Sequence, residues 1–93
     1  MAQTVGELRN DIRETVGRFE RVDSPPFTKE DLAALCEAVG YAIDTDGRLP
    51  PKARMRAGIL RAIGEADTDD PATAERPFRK AELTAIAAAL RSE

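Results

Sequence analysis

The chain contains no histidine, no tryptophan, one cysteine and one tyrosine in 93 residues. Without histidine it lacks the commonest general base near neutral pH and the commonest transition-metal ligand. A single thiol, Cys36, excludes an internal disulfide and leaves no set of sulfur and imidazole donors for zinc. Its neighbours Leu32, Leu35 and Val39 make Cys36 a small core residue rather than a reactive thiol. No apolar run approaches the roughly 20 residues a membrane-spanning helix needs. Met1-Ala2-Gln3-Thr4 does not lead from a basic region into an apolar core, as a secretory leader would. These absences point to a soluble protein of a reducing, cytoplasmic compartment, away from membranes.

Catalytic signatures are missing as well. There is no G-x-S-x-G, no glycine-rich phosphate loop, and no acid paired with a companion nucleophile or base. The expectation is a non-enzyme without catalytic residues, metal or cofactor. Asp44-Thr45-Asp46-Gly47 resembles a fragment of a calcium loop. With Gly47 as its sixth position, the first and twelfth fall on Ala42 and Ala53, so both required carboxylates are lost. The segment reads as an Asp-Gly turn. Asp67, Asp69 and Asp70 read as a solvated acidic loop.

What is present is a thin helical core. Leu, Ile, Val and Phe supply 19 of 93 residues, near the lower edge for a self-sufficient globule, and Ala supplies 16 more. The length suits one domain, residues 1–93. Some apolar surface is expected to need a second copy or a partner, with helices one and four as the spare faces.

Periodicity marks four helices. Thr4 and Glu7 form a capping box, followed by Val5, Leu8, Ile12, Val16 and Phe19 on one face. Arg9, Asn10, Arg13 and Glu20 fall on the other face, and Glu14 and Arg18 make an i,i+4 pair. This helix is placed at about 5–21, before Pro25-Pro26. A second, at about 28–43, opens on Thr28 and Asp31, with Phe27 as a staple onto Leu32. Its end is either Gly40 or, with Ile43 extending the stripe, Asp44. A third, at about 51–65, follows Pro50-Pro51 with Met55, Ile59, Ile63 and Ala66 aligned, and Gly58 and Gly64 weaken it. A turn after Asp70-Pro71 precedes the fourth helix, at about 79–91, with Leu83, Ile86, Ala87 and Leu90 inward. The fold expected is all-α, a small orthogonal or up-down bundle of four helices.

Two segments repeat at an offset of 51 residues, Pro26-Phe27-Thr28-Lys29 through Leu35 and Pro77-Phe78-Arg79-Lys80 through Ile86. The plain reading is one entry device used twice. The sharper reading is a duplicated half-domain with pseudo-two-fold symmetry.

Charge is segregated. Residues 1–46 carry ten acids and five bases, residues 47–64 no acid and five bases, and residues 65–93 seven acids and four bases. The bases of the middle segment are Arg48, Lys52, Arg54, Arg56 and Arg61. On a helical wheel Arg54 and Arg61 lie opposite Met55 and Ile59, with Gly58 between them, where a phosphate or another backbone could approach. Arg56 and Lys52 flank the apolar stripe, placed to snorkel. These five residues are the candidate nucleic-acid contacts. The alternative is a solvated face balanced by acids on neighbouring helices, in keeping with the net charge of −3.

Residues 32–59 resemble a SAP-type helix–loop–helix motif through Leu32, Leu35, Gly40-Tyr41, Gly47, Lys52-Ala53, Met55 and Ile59. The step from Gly47 to Lys52 is longer than that motif's, and Gly58 stands where it has an Arg. The resemblance implies duplex DNA binding, with Lys52, Arg54 and Arg56 on phosphates. The stretch is also similar to TerB-type helical domains, in which a helix ends at Asp-Gly and the next follows Pro. Those domains place an acid soon after the Pro, where Lys52 and Arg54 stand here. Two functions follow. One is a small non-enzymatic interaction or adaptor domain with a protein partner or a second copy. The other is a SAP-like nucleic-acid-binding accessory protein.

Overall fold

A computed structural model describes residues 4–18, 26–43 and 47–91. Four α-helices run in chain order: α1 Val5–Thr15, α2 Lys29–Val39, α3 Lys52–Ala62 and α4 Lys80–Arg91. A short 3-10 turn, Pro71–Thr73, sits between α3 and α4. Among the described residues there is no strand, so the all-α expectation holds. The radius of gyration is 12.2 Å, and a compact chain of this length should have about 12.3 Å. No helix among the described residues is long and apolar enough to cross a membrane.

The helix starts follow the expected chemistry. Thr4 and Glu7 satisfy each other's amides at α1, and Thr28 and Asp31 do the same at α2. At α4 the Arg79 amide donates to Glu82 Oε1 at 2.7 Å, the half of the box that a cap without a short hydroxyl can still make. α3 starts at Pro51 with no side-chain cap.

Three helix ends lie earlier than periodicity suggests, and all three stop by one device. Gly17, Gly40 and Gly64 have φ of 81°, 82° and 84°, the left-handed region that glycine enters without steric cost. In each case the next residue's amide reaches back five positions: Arg18 to Arg13, Tyr41 to Cys36 and Glu65 to Leu60. This is the Schellman closure. α1 therefore ends at Thr15 rather than near residue 21, α2 does not continue to Ile43, and Gly64 stops α3 rather than weakening it. Phe19 and Glu20 fall outside the described residues, as do Pro25 and Asp44-Thr45-Asp46.

Packing follows a symmetric plan. α1 packs chiefly on α4, α2 on α3, and α2 touches α4. Exchanging α1 with α3 and α2 with α4 maps this set of contacts onto itself, the pairing pattern of a pseudo-two-fold. The repeated segments meet in the core. Phe27 and Phe78 are both buried and cross edge-to-face, with centroids 6.2 Å apart at 68°. The equivalent pairs Leu32 and Leu83, and Leu35 and Ile86, are fully buried. The 3-10 turn breaks this pattern by packing chiefly on α3.

Candidate interaction surface

Each residue that follows a glycine stop in the first half of the chain makes a tertiary link. After Gly17, Arg18 Nε donates to Asp31 Oδ1 at 3.1 Å. Arg18 therefore pairs with α2, in place of the intrahelical Glu14 expected from spacing. Arg13, expected on the outer face of α1, is fully buried. Its Nε donates to Asp31 Oδ2 at 3.3 Å, its Nη1 to Asn10 Oδ1 at 2.9 Å, and its guanidinium lies 5.1 Å from the Phe27 ring centroid. The Thr28 amide also donates to Asp31 Oδ2, at 3.1 Å. Burial pushes the Asp31 carboxyl up, but its hydrogen bonds from Thr28, Arg18 and Arg13 outweigh this and hold it below its ordinary value. The cap of α2 is thus also the clamp between α1 and α2. Among the described residues no buried side-chain donor or acceptor is left without a partner, this cluster included, which makes it structural.

After Gly40, Tyr41 turns back over α3. Its ring covers Gly58 so closely that a Cβ at Gly58 would overlap it. Gly58 is buried, and the opening expected there for a phosphate is occupied by Tyr41. The Tyr41 hydroxyl donates to Asp69 Oδ2 at 2.8 Å. Burial, then the hydrogen bond and charge of Asp69, raise the Tyr41 pKa against the opposing pull of Arg54. The Tyr41 hydrogen bond, chiefly, lowers that of Asp69.

The five basic residues separate into two groups. Arg54 and Arg61 are exposed opposite the buried Met55 and Ile59, as the helical wheel places them, but both face Asp69. Arg61 Nη1 stands 3.8 Å from Asp69 Oδ2, a loose pair. Arg56 is half-buried and donates from Nη1 to the Ala74 carbonyl at 2.8 Å, tying α3 to the segment after the 3-10 turn. Burial lowers its pKa. Arg48 and Lys52 are exposed and have no ion pair or hydrogen-bond partner among the described residues.

An open groove of about 370 Å³ lies at the C-terminal end of α2, lined by Ala33, Glu37, Gly40, Tyr41, Ala42 and Ile43. The glycine stop creates it, because the chain folds back beside the helix instead of extending it. Among the described residues Glu37 is the one charged residue of its lining. It is exposed and, like Arg48 and Lys52, has no partner among the described residues. Ile43 of this lining is partly exposed, as are Val39 and Leu49 in the fold's outer shell. Periodicity gave no sign of this groove. The recurring aliphatic-Gly-polar triplets Val16-Gly17-Arg18, Val39-Gly40-Tyr41 and Ile63-Gly64-Glu65 were the signal available.

Cys36 is fully buried. Its Sγ lies 3.8 Å from the Met55 carbonyl, and burial pushes the thiol up to about 12, so it is a packing residue. Among the described residues no group of three or more acidic or sulfur side chains could hold a metal ion. Comparison with family models, curated proteins and solved structures found no match for this chain.

Proposed function

We propose that this protein is a small non-enzymatic interaction domain that engages a protein surface through the groove at the end of α2. One observation carries the reading. The groove joins apolar and small side chains to a carboxylate, Glu37, that nothing in the described fold neutralises. The buried charges are matched internally, as Asp31 is by Arg13 and Arg18, whereas Glu37 is exposed. An unmatched charge beside half-exposed Ile43 and exposed Ala42 is a recognition feature, with apolar area for affinity and the charge for specificity. The thin core favours the same reading, because a partner supplies the apolar burial that the chain alone lacks.

The test is site-specific photo-crosslinking in the native host. A crosslinker at exposed Ala42 should give a discrete protein adduct, and one at exposed Asp11 on α1 should not. Equal labelling from both positions, or none from Ala42, refutes the reading.

Nucleic-acid binding is the second reading. It rests on Arg48 and Lys52, the two basic residues of the segment that are exposed without a partner among the described residues. It predicts binding to labelled duplex DNA that weakens steeply with salt and disappears on reversing both charges. Absence of binding at low salt removes it.

A further inference from the structure

We propose that Tyr41, Arg54 and Arg61 form a phosphate-binding site on the outer face of α3, which Asp69 fills from within the chain. The inference goes beyond the groove reading and does not depend on it.

The site is laid out along one face of α3. Arg54, Gly58 and Arg61 follow one another at spacings of four and three, which holds them within about 60° of arc. Gly58 has no side chain, and the Tyr41 ring covers it. The ring is therefore seated between the two arginines, on the face that they share. Arg54 and Arg61 are exposed, and Tyr41 is half-buried.

Asp69 marks the point where the donors converge. Its Oδ2 accepts from the Tyr41 hydroxyl at 2.8 Å and lies 3.8 Å from Arg61 Nη1. Arg54 is close enough for its charge to act on both Tyr41 and Asp69. The fit is incomplete. Tyr41 and Arg61 share a single carboxylate oxygen, Arg61 loosely, and Arg54 has no ion pair among the described residues. Two positive charges thus face one negative charge.

A phosphate group suits these donors better. It brings at least three acceptor oxygens and nearly twice the charge, so the Tyr41 hydroxyl and both guanidinium groups can each find an oxygen. Arginine also presents paired N–H donors that match phosphate. Asp69 is a weak competitor, because it is half-exposed on the loop after α3 and its ion pair is open to solvent. Its exposed neighbours in the sequence, Asp67 and Asp70, disfavour a long polyanion laid along α3. The group recognised is a single phosphate, free or at the end of a small ester.

The experiment is a titration of the nitrogen-15-labelled full chain with inorganic phosphate and, separately, with glycerol phosphate. It is run near pH 7.5, where both are mainly dianionic, with ionic strength held constant by sodium chloride. Nuclear magnetic resonance follows the arginine Nε–H signals and the Tyr41 amide. Five proteins are compared: the native chain, Asp69→Ala, Asp69→Asn, and Asp69→Ala combined with Arg54→Gln or with Arg61→Gln. Thermal melts by circular dichroism confirm that each folds. The expected result is saturable binding to both Asp69 variants, about tenfold or more tighter than to the native chain, with shifts at Tyr41, Arg54 and Arg61. Either glutamine substitution should weaken it by about tenfold or more. Equal affinity for the two probes assigns the free anion, and tighter binding of glycerol phosphate assigns the ester. Asp69 variants that bind neither probe, or bind no more tightly than the native chain, overturn the proposal. So does binding that survives both glutamine substitutions. The Ala42 crosslink reports on the groove alone, so the two readings fail separately.

Discussion

Gly58→Ala sets helix propensity against packing, and the structure decides the sign. In an exposed helix interior, Ala is more favourable than Gly by about 1 kcal/mol. On sequence grounds the substitution in α3 should therefore stabilise the protein. Gly58, however, is buried under the Tyr41 ring, and an added Cβ would overlap the ring's Cζ and Cδ2 at 2.5 and 2.6 Å. The ring is the far end of a side chain and can swing out, which caps the penalty. Swinging out loses the burial of a half-covered aromatic, on the order of 2 kcal/mol. Staying in place forces strain of about 1–3 kcal/mol. The swing bounds the cost, so after the propensity gain of about 1 kcal/mol the net effect is a loss of up to about 1 kcal/mol. Release of the Tyr41 hydroxyl from the exposed Asp69 carboxylate adds little. The assay is urea unfolding followed by far-ultraviolet circular dichroism, in a double-mutant cycle with Tyr41→Ala. With the ring removed, Gly58→Ala should become stabilising by about 1 kcal/mol. A native-background Gly58→Ala as stable as the parent, or more so, refutes the argument that the ring requires a glycine there.

Three further outcomes follow from the buried groups. Asp31→Ala takes the Asp31 carboxylate from the buried Arg13 and removes the α2 cap, at a cost of about 3–5 kcal/mol in urea unfolding. Arg13→Met costs less, about 1–2 kcal/mol, because Asp31 keeps Arg18 and Thr28 as donors. The reverse order would show that Arg13 matters by bulk and not by charge. The carboxyl of Asp31 is held below its ordinary value in the fold, so its stabilisation is complete above the unfolded pKa of about 3.9 and is lost as the pH falls through the lower folded value. Thermal melts below about pH 4 should fall less steeply for Asp31→Asn than for the parent; parallel curves would rule this out. Cys36, buried and with its thiol pushed up to about 12, should be alkylated only as fast as the protein opens, as followed by mass spectrometry. Rapid labelling of the native protein would contradict its place in the core.

Much of this protein is legible in one dimension because the relevant forces are local. A capping box needs two residues three apart, so Thr4 with Glu7 and Thr28 with Asp31 could be read directly and hold in the fold. The apolar stripes work the same way. Leu8 and Ile12, Leu32 and Leu35, Met55 and Ile59, and Leu83 and Ile86 are all buried, since a 3.6-residue period fixes which side chains share a face. Helix ends are less legible. Glycine both weakens a helix and closes it, and only the φ that it adopts tells which, as at Gly40 and Gly64.

Tertiary structure decided the fate of the charges, because pairing depends on distance in space and not along the chain. Arg13 reads as a solvent-facing residue until Asp31, eighteen positions away, is brought beside it. Arg54 and Arg61 read as a free basic face until Asp69 returns from the loop after α3. Gly58 reads as a gap until Tyr41 fills it. Local spacing determined four amphipathic helices and their starts. Which of their charges are tied up inside the fold was settled only when the chain closed on itself, with Arg13 and Asp31 buried and Glu37 and Lys52 among those left exposed.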